Sequence, residues 1–203
     1  MIKLLGKIPD SVYVACSGGI DSMAALSFLD NGKRKVKVAH FDHGTLHAND
    51  AQCFVENYCT QNGLELVTGT VSRSRSKDES REEFWRNERY RFFKTLELPV
   101  ITAHHLNDVA EWWVFSSLHG ESKLIPYSNE AVLRPFLLTS KIELMKWAKH
   151  RDVPYVTDPS NKNLAYMRNR IRHKIMPQCL RVNPGLEKVL RKKIENSSEH
   201  TSK

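Results

Sequence analysis

Short apolar, β-branched runs recur along the chain at 12–16, 36–41, 64–69 and 99–103, and each reads as a buried strand. Between them the period turns helical. Ala51, Phe54, Val55 and Tyr58 stand at offsets of 0, 3, 4 and 7, one apolar face of a helix over 50–62. Further helices are expected over 22–29, over 80–94 with Phe84, Trp85, Phe92 and Phe93, and over 107–118 with Trp112, Trp113, Val114 and Phe115. Strands alternating with helices predict an α/β fold, a parallel sheet sandwiched by helices. The polar stretch 72–80, rich in serine and charge, is expected to be a mobile loop.

Beyond Leu118 the texture changes. Residues 119–129 read as a loop, and 132–138 as a short apolar run broken by Pro135. Ser140 and Glu143 make a capping-box pair that starts a helix ending at His150. A turn is expected at 158–161 and a helix over 165–175 that stops before Pro177. Asn183 and Pro184 cap a last helix whose final residues, 198–203, are expected to fray. The division that follows is a sheet domain over 1–138 and a short, basic helical extension packed on it over 139–203.

Charge sharpens that division. The formal net charge of +8 is uneven: residues 1–140 carry 16 Lys/Arg against 17 Asp/Glu, leaving 15 against 6 for 141–203. The surplus in the last third marks either a polyanion-binding surface or a solvated basic tail. No apolar run approaches the ~18–20 residues of a membrane span. The N-terminus turns polar too soon for a signal peptide. Four cysteines without a C-x-x-C pair give poor support for zinc ribbons or cysteine-ligated clusters and fit a reducing, cytoplasmic setting. Cys53 and Cys59 read as small buried hydrophobes.

Three polar clusters fall at the carboxyl ends of expected strands, where open parallel sheets bind ligands. The first is Ser17-Gly18-Gly19-Ile20-Asp21-Ser22, between a strand and a helix start. Glycines there allow close backbone approach, and the helix dipole favours an anion. It is neither the G-x-x-x-x-G-K-[ST] loop nor the G-x-G-x-x-G fingerprint. The second cluster is His40, Asp42, His43 and Gly44. The third runs from Thr102 through His104 and His105 to Asp108 and Glu111. His105, Asp108 and Glu111, three apart, can line one helix face. The order does not match H-E-x-x-H, and acids in a first helical turn also merely complement the dipole. A carboxylate pair suits a bound cation. Arg168, Arg170, Arg172 and Lys174 spread around a basic helix: some can anchor it inward while others meet phosphate. Arg86, Arg89 and Arg134 are further phosphate candidates or structural partners. Trp85, Trp112, Trp113 and Trp147 are read as core before base platforms.

Taken in order, the 17–22 loop, His40-Phe-Asp-His-Gly44, Arg86-Asn-Glu-Arg89-Tyr90, Thr102-Ala-His-His105 with Asp108 and Glu111, Arg134-Pro135, Asp158-Pro-Ser-Asn161 and Arg168-Asn-Arg-Ile-Arg172 resemble the catalytic domain of the tRNA(Ile)-lysidine synthetase family. The first motif alone resembles the pyrophosphate loop of ATP pyrophosphatases. The resemblance spans about 11–184 and implies an adenine nucleotide α-hydrolase-like, Rossmann-type sheet.

It further implies ATP as co-substrate with Mg²⁺, free lysine, and an isoleucine tRNA with a CAU anticodon, whose wobble cytidine is adenylated at C2 and then joined to lysine. On that reading Ser17, Gly18, Gly19, Ile20, Asp21, Ser22, His40 and Asp42 hold the nucleotide, with Asp21 also at the metal. Asp108 and Glu111 bind the lysine ammonium, one of them taking its proton, and His105 contacts nucleotide or base. Arg86, Arg134, Arg168, Arg170, Arg172 and Lys174 meet substrate or RNA. Three departures stand out: Trp112 where the family usually has threonine, a glycine-poor loop at 120–126, and 44–47 in place of Gly-Leu-Arg. Longer members continue into C-terminal RNA-binding domains, so narrower tRNA recognition is expected here unless a homodimer or the basic tail substitutes. A tRNA thiolase on the same loop, or a tRNA-binding protein without turnover, stays open as an alternative.

Overall fold

The computed structural model describes residues 1–44 and 48–200. The departure noted at 44–47 therefore lies, past Gly44, outside the described residues. Six strands form one sheet: β1 (Ser11–Ala15), β2 (Lys35–Asp42), β3 (Leu66–Thr70), β4 (Val100–Ile101), β5 (Ser128–Asn129) and β6 (Val132–Leu133). Their spatial order is β3-β2-β1-β4-β6-β5. All pairings are parallel except β5 with β6. The antiparallel β5–β6 hairpin was not foreseen, because strands of two residues leave no periodicity to read. Its place on the sheet edge comes from pairing with β4.

Four helices follow the strands: α1 (Ile20–Asn31), α2 (Ala48–Asn62), α3 (Arg81–Lys94) and α4 (Leu106–Leu118). β1 shows why both faces must be covered. Val12 and Val14 point into a core shared with Met23, Leu26 and Leu29 of α1, while Tyr13 between them packs with Phe93 of α3. Each such fully buried aliphatic side chain contributes roughly 1.5–3 kcal/mol. α5 (Lys141–His150) adds Leu144 and Ala148 to the first core. A second core joins Leu106, Val109 and Ala110 of α4 to Leu186, Leu190 and Ile194 of the last helix, α8 (Leu186–His200). Residues beyond 138 thus share cores with the sheet domain.

Several expectations need correcting. The basic helix does not stop before Pro177. α6 (Met167–Arg170) passes through a π-helical stretch, Ile171–Ile175, directly into α7 (Met176–Val182), where Pro177 sits in the first turn. A first-turn proline needs no N–H, and the widened π stretch before it relieves the proline's clash with the preceding turn. α8 keeps helical backbone to His200, further than the expected fraying. The stretch 72–80 is anchored rather than loose: buried Glu88 accepts from Ser72 N–H at 2.9 Å and from Arg73 Nε at 3.1 Å. Arg73 also grips Glu79 with two 2.8 Å bonds. Cys59 is buried as expected, but Cys53 is exposed.

Candidate active site

The sheet reverses its winding between β1 and β4, and both neighbouring loops open on the carboxyl rim there. After β1 the chain turns through Gly18 at φ +79°, a left-handed conformation natural to glycine. A Cβ at that position would stand 3.0 Å from Val156 Cγ2, whose backbone N–H donates to Gly18 O at 2.9 Å. Gly19 then opens α1 without a side-chain cap, leaving the first-turn N–H groups for an anion. Ser17 is exposed at the mouth. Ser22 is not: its hydroxyl accepts from Ser17 N–H at 3.2 Å and donates to Gly19 O at 2.9 Å. Ser22 therefore staples the loop, and its proton is already used.

Asp21 is the acid of this loop. Its Oδ2 lies 3.2 Å from Lys141 Nζ and 3.6 Å from His105 Nε2. Burial pushes the carboxyl up, but His105 and Lys141 outweigh it and hold Asp21 below the usual carboxylate range. Its Oδ1 is buried with no hydrogen-bond partner. Among the described residues no three His, Cys, Asp or Glu gather into a metal cage. One carboxylate with an orphaned oxygen beside an anion cradle fits Mg²⁺ of the kind that arrives on nucleotide phosphates.

On β2, His40 is buried and its Nδ1–H donates to Cys16 O at 2.8 Å, so the imidazole braces the strand end that feeds the loop. Its Nε2 is buried and unpartnered. Asp42 Oδ1 accepts from Gly44 N–H at 2.6 Å and shapes the turn after β2.

α4 begins at His105, whose Nδ1 accepts from Asp108 N–H at 3.4 Å while Asp108 Oδ2 accepts from His105 N–H at 2.9 Å. This reciprocal cap explains why a histidine can start a helix. Asp108 and Glu111 are both buried and face the basic helix. Arg168 Nη2 lies 2.6 Å from Asp108 Oδ1, and its Nε 3.5 Å from Glu111 Oε2. Arg172 Nε lies 2.6 Å from Glu111 Oε1, and its Nη2 3.2 Å from Asp108 Oδ1. Burial raises Asp108, yet the adjoining His105, the Arg168 guanidinium and the His105 N–H that caps the carboxylate hold it well below the ordinary carboxylate range. Burial pushes the neighbouring His104 down to about 3 and His43 down to about 4, so both imidazoles are neutral at pH 7.

The expected residues divide accordingly. Asp21, His105, Asp108 and Glu111 come together. Arg168 and Arg172 turn inward onto the acids, whereas Arg170 and Lys174 are exposed. Arg134 is corrected: only 2% exposed, it donates to Pro126 O and Tyr90 Oη at 2.8 Å each and pins the end of β6, with no reach for RNA. Arg86 lies over the Tyr90 ring, 4.8 Å from its centroid. His105, at 1% exposure, is a linker between the two clusters rather than a surface contact for a base. Lys141 was missed. Its signal was the Ser140 capping box, which puts the next side chain at the start of α5, and Asn107 Oδ1 fixes its N–H at 2.8 Å.

An open α/β sheet with a glycine-serine anion loop at its switch point defines a nucleotide-binding protein. The PP-loop domain family matches residues 3–179, and the chain belongs to that family. It is 36% identical over 196 residues to the tRNA(Ile)-lysidine synthase of Thermotoga maritima, covering 88% of this chain and 47% of that protein. The Lactiplantibacillus plantarum tRNA(Ile)-lysidine synthase is 32% identical, covering 88% and 44%. The chain thus spans about half the length of these curated relatives. Among solved structures, the U34-tRNA thiolase NcsA from Methanococcus maripaludis, with its [4Fe-4S] cluster, superposes with a TM-score of 0.70 at 17% identity, covering 94% of this chain and 73% of that one. NMN synthetase from Francisella tularensis gives a TM-score of 0.52 at 14% identity, covering 83% and 77%. These two share the fold. Among the described residues no helix is long and apolar enough to cross a membrane.

Proposed function

We propose that this chain performs the chemistry named for its relatives: ATP-dependent joining of free lysine to the wobble cytidine of an isoleucine tRNA with a CAU anticodon. The observation that carries the reading is the His105 bridge. It joins an anion cradle at Asp21 to a buried carboxylate pair at Asp108 and Glu111, so nucleotide and amine meet on one rim. The first step makes a bond from the C2 oxygen of cytidine to the α-phosphorus and releases pyrophosphate. The open turn of α1 and the Ser17 hydroxyl receive that leaving group. Mg²⁺, held by Asp21 with the phosphates, supplies neutralising charge when bound.

In the second step the lysine ε-nitrogen attacks C2 and AMP leaves. Stripping a proton from an ammonium of pKa ~10.4 at pH 7 costs about 4–5 kcal/mol, so an acceptor is needed. Asp108 is held ionised and serves to bind the ammonium, which leaves the proton to Glu111. Both acids carry arginines in this structure. Arg168, with half its side chain exposed, yields its place to the ammonium and turns to phosphate. Exposed Arg170 and Lys174 face the RNA.

Incubation with ATP, Mg²⁺, lysine and the CAU-anticodon tRNA tests the reading. The expected result is AMP release that depends on lysine and a wobble nucleoside heavier by a lysyl group. A nucleoside carrying sulfur, or tRNA binding with neither AMP nor adduct, overturns it.

A further inference from the structure

We infer that the outer face of α4 carries a nucleobase-stacking ladder, Trp112–Phe115–His119, for unpaired bases beside the reacting nucleotide; this rests on the proposed function. The three rings recur at helical spacing. Trp112 and Phe115 stack with centroids 5.6 Å apart and planes 29° apart, and Phe115 meets His119 at 4.5 Å. His119 is held in place by Nδ1–H donation to Phe115 O at 2.8 Å. Trp112 is 41% exposed and lies on Phe115, which is half-buried against the second core; Trp113 packs on that core as well, and Trp147 donates to Ser27 beside the first. An exposed indole gains nothing for folding from its outer face.

Position and charge together name the occupant. Trp112 and Phe115 stand four residues beyond Asp108 and Glu111, so the ladder continues the helix face that carries the acids. The π-helical stretch packed against α4 brings Arg172 to Glu111 and exposes Lys174, which has no carboxylate within 4 Å among the described residues. Exposed aromatic faces flanked by cations bind single-stranded RNA through base stacking and phosphate contact. A second copy of the chain is the poorer occupant. A two-fold contact centred on the ladder would bring two such cationic segments together.

The test is binding of a fluorescein-labelled anticodon stem-loop by anisotropy, without ATP or lysine, alongside turnover. Trp112→Ala is expected to bind about 10-fold more weakly, with Trp112→Phe within about 3-fold of the parent chain. RNA should quench indole emission in the parent, and that quench should vanish in Trp112→Phe, a readout independent of how Trp112→Ala folds. Turnover by Trp112→Ala at unchanged KM for tRNA overturns the ladder alone, as does a dimer that dissociates on Trp112→Ala. A parent chain that binds RNA through Trp112 yet forms no lysidine overturns the reaction and keeps the ladder. Failure of the parent to bind RNA at all overturns both.

Discussion

Nε2 of His105 stands 3.6 Å from Oδ2 of Asp21 while its Nδ1 faces the first turn of α4. One imidazole therefore fixes the distance between the nucleotide loop and the acid pair. His105→Asn separates the two jobs, because asparagine caps a helix well but does not reach Asp21. The expected outcome is a retained cap, stability lower by about 1–2 kcal/mol from the emptied ring space and the lost Asp21 contact, and kcat reduced roughly 10- to 100-fold. His105→Ala should lose a further ~1 kcal/mol with the cap. Calorimetry and AMP release measure the two effects.

Asp108→Asn removes the charge that Arg168 and Arg172 meet while keeping the side chain's size. Lysine-dependent AMP release should disappear, while affinity for a fluorescent ATP analogue changes less than threefold. Stability should fall by about 1–3 kcal/mol, as charged hydrogen bonds are lost. Equal loss of nucleotide and lysine binding in equilibrium titrations would show that the assignment to the ammonium is wrong.

His43 and His104 titrate at about 4 and about 3 in the fold, against 6.5 when free. Unfolding therefore takes up protons below pH 6.5, and stability is greatest above that value. It should decline as pH falls from 6.5 towards 4, where His43 is protonated in the fold as well. His104 extends the decline towards 3. Urea melts near pH 5 should show an uptake approaching two protons from the two imidazoles, with the depressed carboxylates of Asp21 and Asp108 adding to it nearer pH 4. His43→Gln should remove one of the two imidazole protons.

Gly18→Ala places a Cβ at φ +79° and 3.0 Å from Val156 Cγ2. Strain of about 1–2 kcal/mol is expected from the backbone alone. Nucleotide binding should weaken more than stability suggests, because the loop's N–H groups turn with the peptide. Equilibrium binding of the ATP analogue, set beside the melting midpoint, measures both.

Strand and helix periods, the glycine-serine loop and the capping box at Ser140 are local properties, written in short windows of sequence. They were enough for a parallel sheet with helices on both faces and for the acids of α4. What local pattern could not carry was pairing between distant segments. Arg168, Arg172 and Arg134 are the same residue type in the sequence, yet two neutralise the acids and one is buried under Tyr90, because helix packing and the two-residue strand β6 decide which way each guanidinium turns. Lys141 reaches Asp21 from 120 residues away only because α5 packs on α1. Chain order specified the chemical groups. Burial, which makes each charge find a partner, chose the partners.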